Sequence, residues 1–163
     1  ATVPSRGLIG FRSEFLTITS GTGIMTSSFS HYGTAKAGQV AKRQNGVLIS
    51  MVNGTCLAFA LFTLQDRGRL FAEPQLEVYE GMIVGMNSRS DDMTVNPTKA
   101  KQLTNMRASG TDEALTLTPA IKFTLEQALE FIEDDELVEV TPKSVRIRKK
   151  WLTENDRKRN RAK

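Results

Sequence analysis

The chain has 163 residues, with 22 Lys+Arg against 18 Asp+Glu and a formal charge of +4. Hydrophobic residues at 39% and charged residues at 25% are ordinary for a globular protein, and the length allows one core, or one domain plus part of another. No apolar run approaches the ~18 residues of a membrane span, the opening Ala1-Thr2-Val3-Pro4-Ser5-Arg6 lacks the apolar stretch of a signal peptide, and the single cysteine, Cys56, excludes an intrachain disulfide. With one histidine, His31, a zinc site and a Cys-His nucleophile are also disfavoured, and a cytoplasmic setting is expected.

Leu8, Phe11 and Phe15, widened by Ile9 and Leu16, share one helical face. A helix is therefore expected from Arg6, capped by Ser5 and ended before Ser20-Gly21. Gly23 to Tyr32 reads as a strand. One helix and one strand cannot bury both their faces, so this opening needs a partner, and 33–38 forms a weak boundary.

From Gly46 the pattern turns to β. Val47, Leu48, Ile49 and Met51 form a strand, Asn53-Gly54 a hairpin turn, and Thr55 to Leu61 the returning arm, both arms apolar enough for burial on both faces. Phe62 to Arg67 reads as a short helix stopped by Gly68. Strands follow at Leu70-Phe71 and at Glu77 to Met86, where Gly81 and Gly85 mark bends or close backbone approach, as in a barrel. From 87 to 112 neither the helical nor the strand period holds; such long stretches are usually functional or disordered. Ala114 to Leu117 alternates like a strand.

Thr124 and Gln127 have the spacing of a capping box, opening a helix on which Leu125, Ala128, Leu129 and Ile132 share one face. Leu137 to Val140 is a short strand. Ser144 to Arg148 is another, with Val145 and Ile147 inward and Arg146 and Arg148 outward.

Charge is unevenly spread. Seven acids and no base lie between Glu126 and Glu139, whereas ten bases and two acids follow Pro142, a tail of +8. Acids at a helix C-terminus oppose the helix dipole and call for basic partners nearby. A terminal basic block of this density points to a polyanion.

Catalytic constellations are missing. There is no Gly-x-x-x-x-Gly-Lys-Ser/Thr phosphate loop, Cys56 sits among apolar neighbours, and the run Glu133-Asp134-Asp135-Glu136 lacks the glycine-bearing loop of an EF-hand. Glu80 and His31 are the nearest approach to catalytic groups and have no orienting partners. The long loop is different. It carries Arg89, Lys99, Lys101 and Arg107 with Asn87, Asn96 and Asn105, and cations neutralise phosphates while amides and guanidinium planes meet unpaired bases.

The residues also resemble a known family. Val3 to Thr17, continuing through Gly21-Thr22-Gly23, is similar to the helix and last strand of domain V in elongation-factor-G-like translational GTPases. Four segments resemble, in the same order, the C-terminal portion of the BipA/TypA translational GTPases: Arg6 to Arg12, Val78 to Gly85, Lys101 to Glu113 and Leu125 to Ser144. The resemblance implies an α+β fold. In it, residues 1–36 are the C-terminal half of a ferredoxin-like domain V. Residues 37–163 are a mainly β, barrel-like C-terminal domain with short helices, the long loop 87–112 and the basic tail 142–163.

It further implies a ribosome-binding module whose parent acts in large-subunit assembly and stress-responsive translation, in the bacterial cytoplasm or the chloroplast stroma. Arg89, Lys99, Lys101, Asn105 and Arg107 would meet rRNA or A-site tRNA, and Lys143, Arg146, Arg148, Lys149 and Lys150 the rRNA backbone. No catalytic residue, metal or cofactor is expected in this chain; GTP and Mg belong to the GTPase domain of the parent. Ala100 stands between Lys99 and Lys101 where the family pattern leads us to expect glycine, which stiffens the loop tip. Two other expectations stand beside these: the acidic helix 124–136 docks a basic ribosomal protein or the chain's own tail, and the opening segment pairs with a second copy in a swapped or artificial dimer.

Overall fold

A computed structural model describes residues 2–8, 11–34, 43–100 and 116–161. Near the start, a single 3-10 turn at Ser5–Gly7 precedes α1 (Phe11–Ile18). The helix stops as its sequence directs: Gly21 takes φ +81 and its N–H donates to the Leu16 carbonyl at 2.7 Å. Ser5 is the first residue of the 3-10 turn and makes no cap. The strand expected from Gly23 to Tyr32 is not formed; 22–34 has no regular structure. A lone extended segment gains no ladder bonds without a neighbour. Ile18 at the end of α1 and Ile24, Phe29 and Tyr32 within 22–34 are exposed.

The remaining described residues form eight strands and three helices, an α+β arrangement. The strands are β1 (Val47–Ser50), β2 (Gly54–Thr55), β3 (Gly68–Leu70), β4 (Glu77–Val78), β5 (Ile83–Asn87), β6 (Met93–Val95), β7 (Glu136–Val140) and β8 (Val145–Lys149). The helices are α2 (Ala58–Leu64), α3 (Leu125–Phe131) and α4 (Glu154–Arg161). The central sheet has the order β3-β5-β1-β6, with β1 antiparallel to β5 and parallel to β6. Two two-stranded sheets, β2-β4 and β7-β8, complete the set, and none of the described sheets closes into a barrel.

β1 is buried along its whole length because both sheet faces are covered. Leu48 points to a cluster with Leu61, Leu70, Val84 and Val95 under α2. Val47 and Ile49 point the other way, to Ile83, Ala128 and Ile147 beneath α3 and the β7-β8 hairpin. Phe71, Phe123 and Phe131 close this second cluster, with ring centroids 4.7–5.3 Å apart.

Several expected elements shift. The hairpin through Asn53-Gly54 is absent, since β1 pairs with β5 and β6, and Thr55 pairs with Glu77. The apolar run 58–64 is helical instead, four residues earlier than the helix read at Phe62; a run apolar on all sides has no period to separate strand from helix. Cys56 is fully buried, in the link before α2 rather than in a strand. β6 occupies part of the stretch read as loop, and Asn87 belongs to β5. At 116–117 no strand forms, while 114–115 lies outside the described residues.

Gly81 shows why glycine is needed. Its φ is +87, and a Cβ there would lie 2.7 Å from Leu152 Cα and 2.8 Å from its carbonyl oxygen. Its N–H donates to Ser50 and its carbonyl accepts from Lys149, so the turn splices β1 to β8. Gly85 is also a close approach, 2.8 Å from Cβ position to the Arg69 carbonyl oxygen.

Candidate nucleic-acid interface

The long loop springs from both ends of α2. On the outgoing side, Leu57 N–H donates to the Pro97 carbonyl at 3.0 Å, just before α2 begins. On the return, the Gln65 side chain donates to the Thr116 carbonyl at 3.2 Å and accepts from Thr118 N–H at 3.1 Å, just after α2 ends. A seven-residue helix separates the two feet by about 10 Å. The start of the loop is itself fixed: Asn96 Oδ1 accepts from both the N–H and the hydroxyl of Thr98, an Asx turn that leads into Lys99.

Arg89 and Lys99 are exposed. Lys101, Asn105 and Arg107 lie outside the described residues. Lys143 is exposed at the β7-β8 tip, where Thr141 and Ser144 bond reciprocally across the turn. Lys150 is exposed beside the Trp151 ring, 5.3 Å from its centroid. Arg146 and Arg148 are half-buried on one face of β8, as the alternation requires. Arg148 Nε lies 2.7 Å from Glu139 Oε1, while the Tyr79 hydroxyl donates to Glu139 Oε2 at 2.5 Å. Burial, followed by that hydrogen bond and the charge of Glu139, raises the Tyr79 pKa.

Lys149 is a correction. It is 2% exposed, and its ammonium contacts Asp92 at 2.7 Å and Asp135 and Glu136 at 2.9 Å each. All three N–H donors are spent inside the protein, so Lys149 is withdrawn from the surface set. Glu136 also receives both terminal nitrogens of Arg43, at 2.8 and 3.0 Å, and Arg43 lies 4.3 Å over the Phe131 ring. Burial works to raise the Glu136 pKa; the Arg43 hydrogen bonds and the Lys149 and Arg43 charges outweigh it and hold the carboxyl below its usual range. Burial likewise works to lower Lys149, and the Asp92, Glu136 and Asp135 contacts outweigh it and raise it.

The acidic run therefore finds cations within the chain. The capping box of α3 forms as read, with Thr124 Oγ1 accepting from Gln127 N–H and Gln127 Oε1 accepting from Thr124 N–H. Its buried side, however, is Ala128 with Phe131 and Ile132, and Leu125 and Leu129 are exposed. Among the described residues no group of acids, histidine and cysteine is arranged to hold a metal ion, and no helix is long and apolar enough to cross a membrane. Glu80 accepts from Glu154 N–H at the start of α4, and among the described residues exposed His31 has a hydrogen bond with Ser30 alone.

Residues 1–43 match the family model of the elongation factor G C-terminus. Residues 45–154 match that of the TypA/BipA C-terminal domain, and the chain belongs to this family. It is 68% identical over 161 residues to the large ribosomal subunit assembly factor BipA of Escherichia coli K12, covering 98% of this chain and 26% of that protein. Against the proteins of the same name from Haemophilus influenzae and Buchnera aphidicola it is 64% and 61% identical, over 96% and 95% of the chain and 26% of each relative. The chain thus spans about a quarter of the length of these relatives.

Proposed function

We propose that this chain is the ribosome-facing C-terminal module of a BipA/TypA-type translational GTPase, acting in large-subunit assembly and stress-responsive translation in the bacterial cytoplasm or chloroplast stroma. GTP and Mg would be handled by the rest of that protein. The module would touch rRNA and A-site tRNA through Arg89, Lys99, Lys101, Asn105 and Arg107, and rRNA backbone through Lys143, Arg146, Arg148 and Lys150. The observation that carries this reading is its 68% identity over nearly the whole chain to proteins named for large-subunit assembly. The loop's two feet, fixed at either end of α2, give it further support. Rigid feet lower the ordering cost that a cationic loop incurs on meeting RNA.

Docking of a basic ribosomal protein on the acidic segment 124–136 is the weaker reading, because the helix ends at Phe131 and the acids beyond it, Asp135 and Glu136, are already paired with Lys149 and Arg43. Photocrosslinking to large ribosomal subunits separates the two. Adducts to RNA from positions 99 and 143 support the proposal; adducts to protein alone, from positions 126 and 130, overturn it.

A further inference from the structure

A cleft of about 370 Å3 opens beside the returning foot of the loop, lined among others by Asp66, Arg67, Asn87, Ser88, Arg89 and Met93. Its size is at the lower end of small-ligand pockets, about 300–1,000 Å3. Both arginines stand on fixed backbone. The Arg67 carbonyl accepts from Ser88 N–H at 2.9 Å and from the Ser88 hydroxyl at 2.8 Å, and the Arg89 carbonyl accepts from Gly46 N–H at 2.8 Å. A Cβ on Gly46 would lie 2.3 Å from the Asp91 backbone, so that strap fits only glycine. Among the described residues the guanidinium groups of Arg67 and Arg89 have no ion pair or hydrogen bond, nor does the Asp66 carboxylate. Arg43, Lys149 and Lys158, by contrast, each lie in an ion pair.

The guanidinium groups of two arginines that line one cleft match a phosphodiester, which accepts bidentate N–H donors. Met93 supplies an apolar surface for a ring. The carboxylate of Asp66 can only accept, so it selects a base edge that donates, and guanine presents two adjacent N–H groups there. We propose that this cleft holds one unpaired nucleotide of single-stranded RNA, with its phosphate on Arg67 and Arg89 and a preference for guanine set by Asp66. This deepens the RNA-binding reading above and rests on it.

The test uses the full chain and fluorescent pentanucleotides, oligouridine carrying one central guanosine or adenosine. The unaltered chain should bind the guanosine oligonucleotide more tightly. The Arg67→Ala/Arg89→Ala variant, with an unchanged circular dichroism spectrum, should lose about tenfold or more for both. Asp66→Asn should remove the guanosine preference while keeping salt-dependent binding. RNA binding by the unaltered chain that the arginine variant leaves intact overturns the cleft and spares the wider reading. No RNA binding by the unaltered chain overturns both.

Discussion

Lys149 Nζ and Asp92 Oδ2 meet at 2.7 Å, joining the last strand of the chain to the turn before β6. The other oxygen of Asp92 accepts from Val47 N–H at 2.9 Å, so one carboxylate ties β8 to the start of β1. Glu136, with no exposed side-chain surface, adds Arg43 to the same network. The result is a charge cluster, buried at Lys149 and Glu136 and open to solvent at Asp92 and Asp135, that fastens the segment around Arg43 to the β7-β8 hairpin. Removing Lys149 or Glu136 leaves the other buried with its charge less well compensated.

Lys149→Met and Glu136→Gln should therefore each destabilise the chain by about 3–5 kcal/mol, a cost expected when a buried ion pair loses one partner. Urea unfolding followed by circular dichroism measures it. A change below about 1 kcal/mol would mean that the cluster is as weak as a surface ion pair.

The same cluster sets a pH dependence. Glu136 is held below its usual range in the folded chain, so its contribution is present above about pH 4.3 and fades as pH falls through the lower folded value. Lys149 is raised, so its contribution persists below about pH 10.4 and fades as pH climbs through the higher folded value. Unfolding midpoints taken across pH should show the gap between the unaltered chain and Glu136→Gln narrowing on the acid side.

Gly81→Ala should cost about 2 kcal/mol or more, through both its φ of +87 and the approach of Leu152. Thermal melts of the variant check this directly. If the fall is only the few tenths of a kcal/mol of an ordinary surface substitution, the splice between β1 and β8 is looser than described.

Cys56 sits wholly out of solvent, and burial pushes its thiol up to about 11. At neutral pH the native chain should react with a thiol-specific disulfide reagent only as fast as it unfolds, and promptly in denaturant. Rapid native labelling would contradict the packing drawn around Leu61 and Val78.

Local chemistry made much of this fold readable. The Thr124–Gln127 capping box, the Gly21 helix stop and the bend at Gly81 each follow from one or two residues whose backbone needs are specific. Pairing partners were not readable, because β1 takes β5 and β6 from 34 or more residues away, and nothing in Val47–Ser50 encodes which strand will lie alongside. The apolar run 58–64 carried no period to distinguish helix from strand. Of the site, Arg89 and Lys99 are exposed as a basic interface requires, but Lys149 was misassigned. The signal was present: the alternation that turns Val145 and Ile147 inward also turns Lys149 inward, and charge alone had placed it with the tail. Arg43 gave no such sign, since its partner lies 93 residues away.

The most direct test of the central claim is the affinity of the chain for isolated large ribosomal subunits as salt is raised. The account predicts binding whose logarithm falls linearly with the logarithm of salt concentration, as released counterions require. Lys99→Ala/Lys101→Ala/Arg107→Ala should weaken it and flatten that slope by about two to three. Binding that ignores salt, or that the triple variant retains in full, would contradict it.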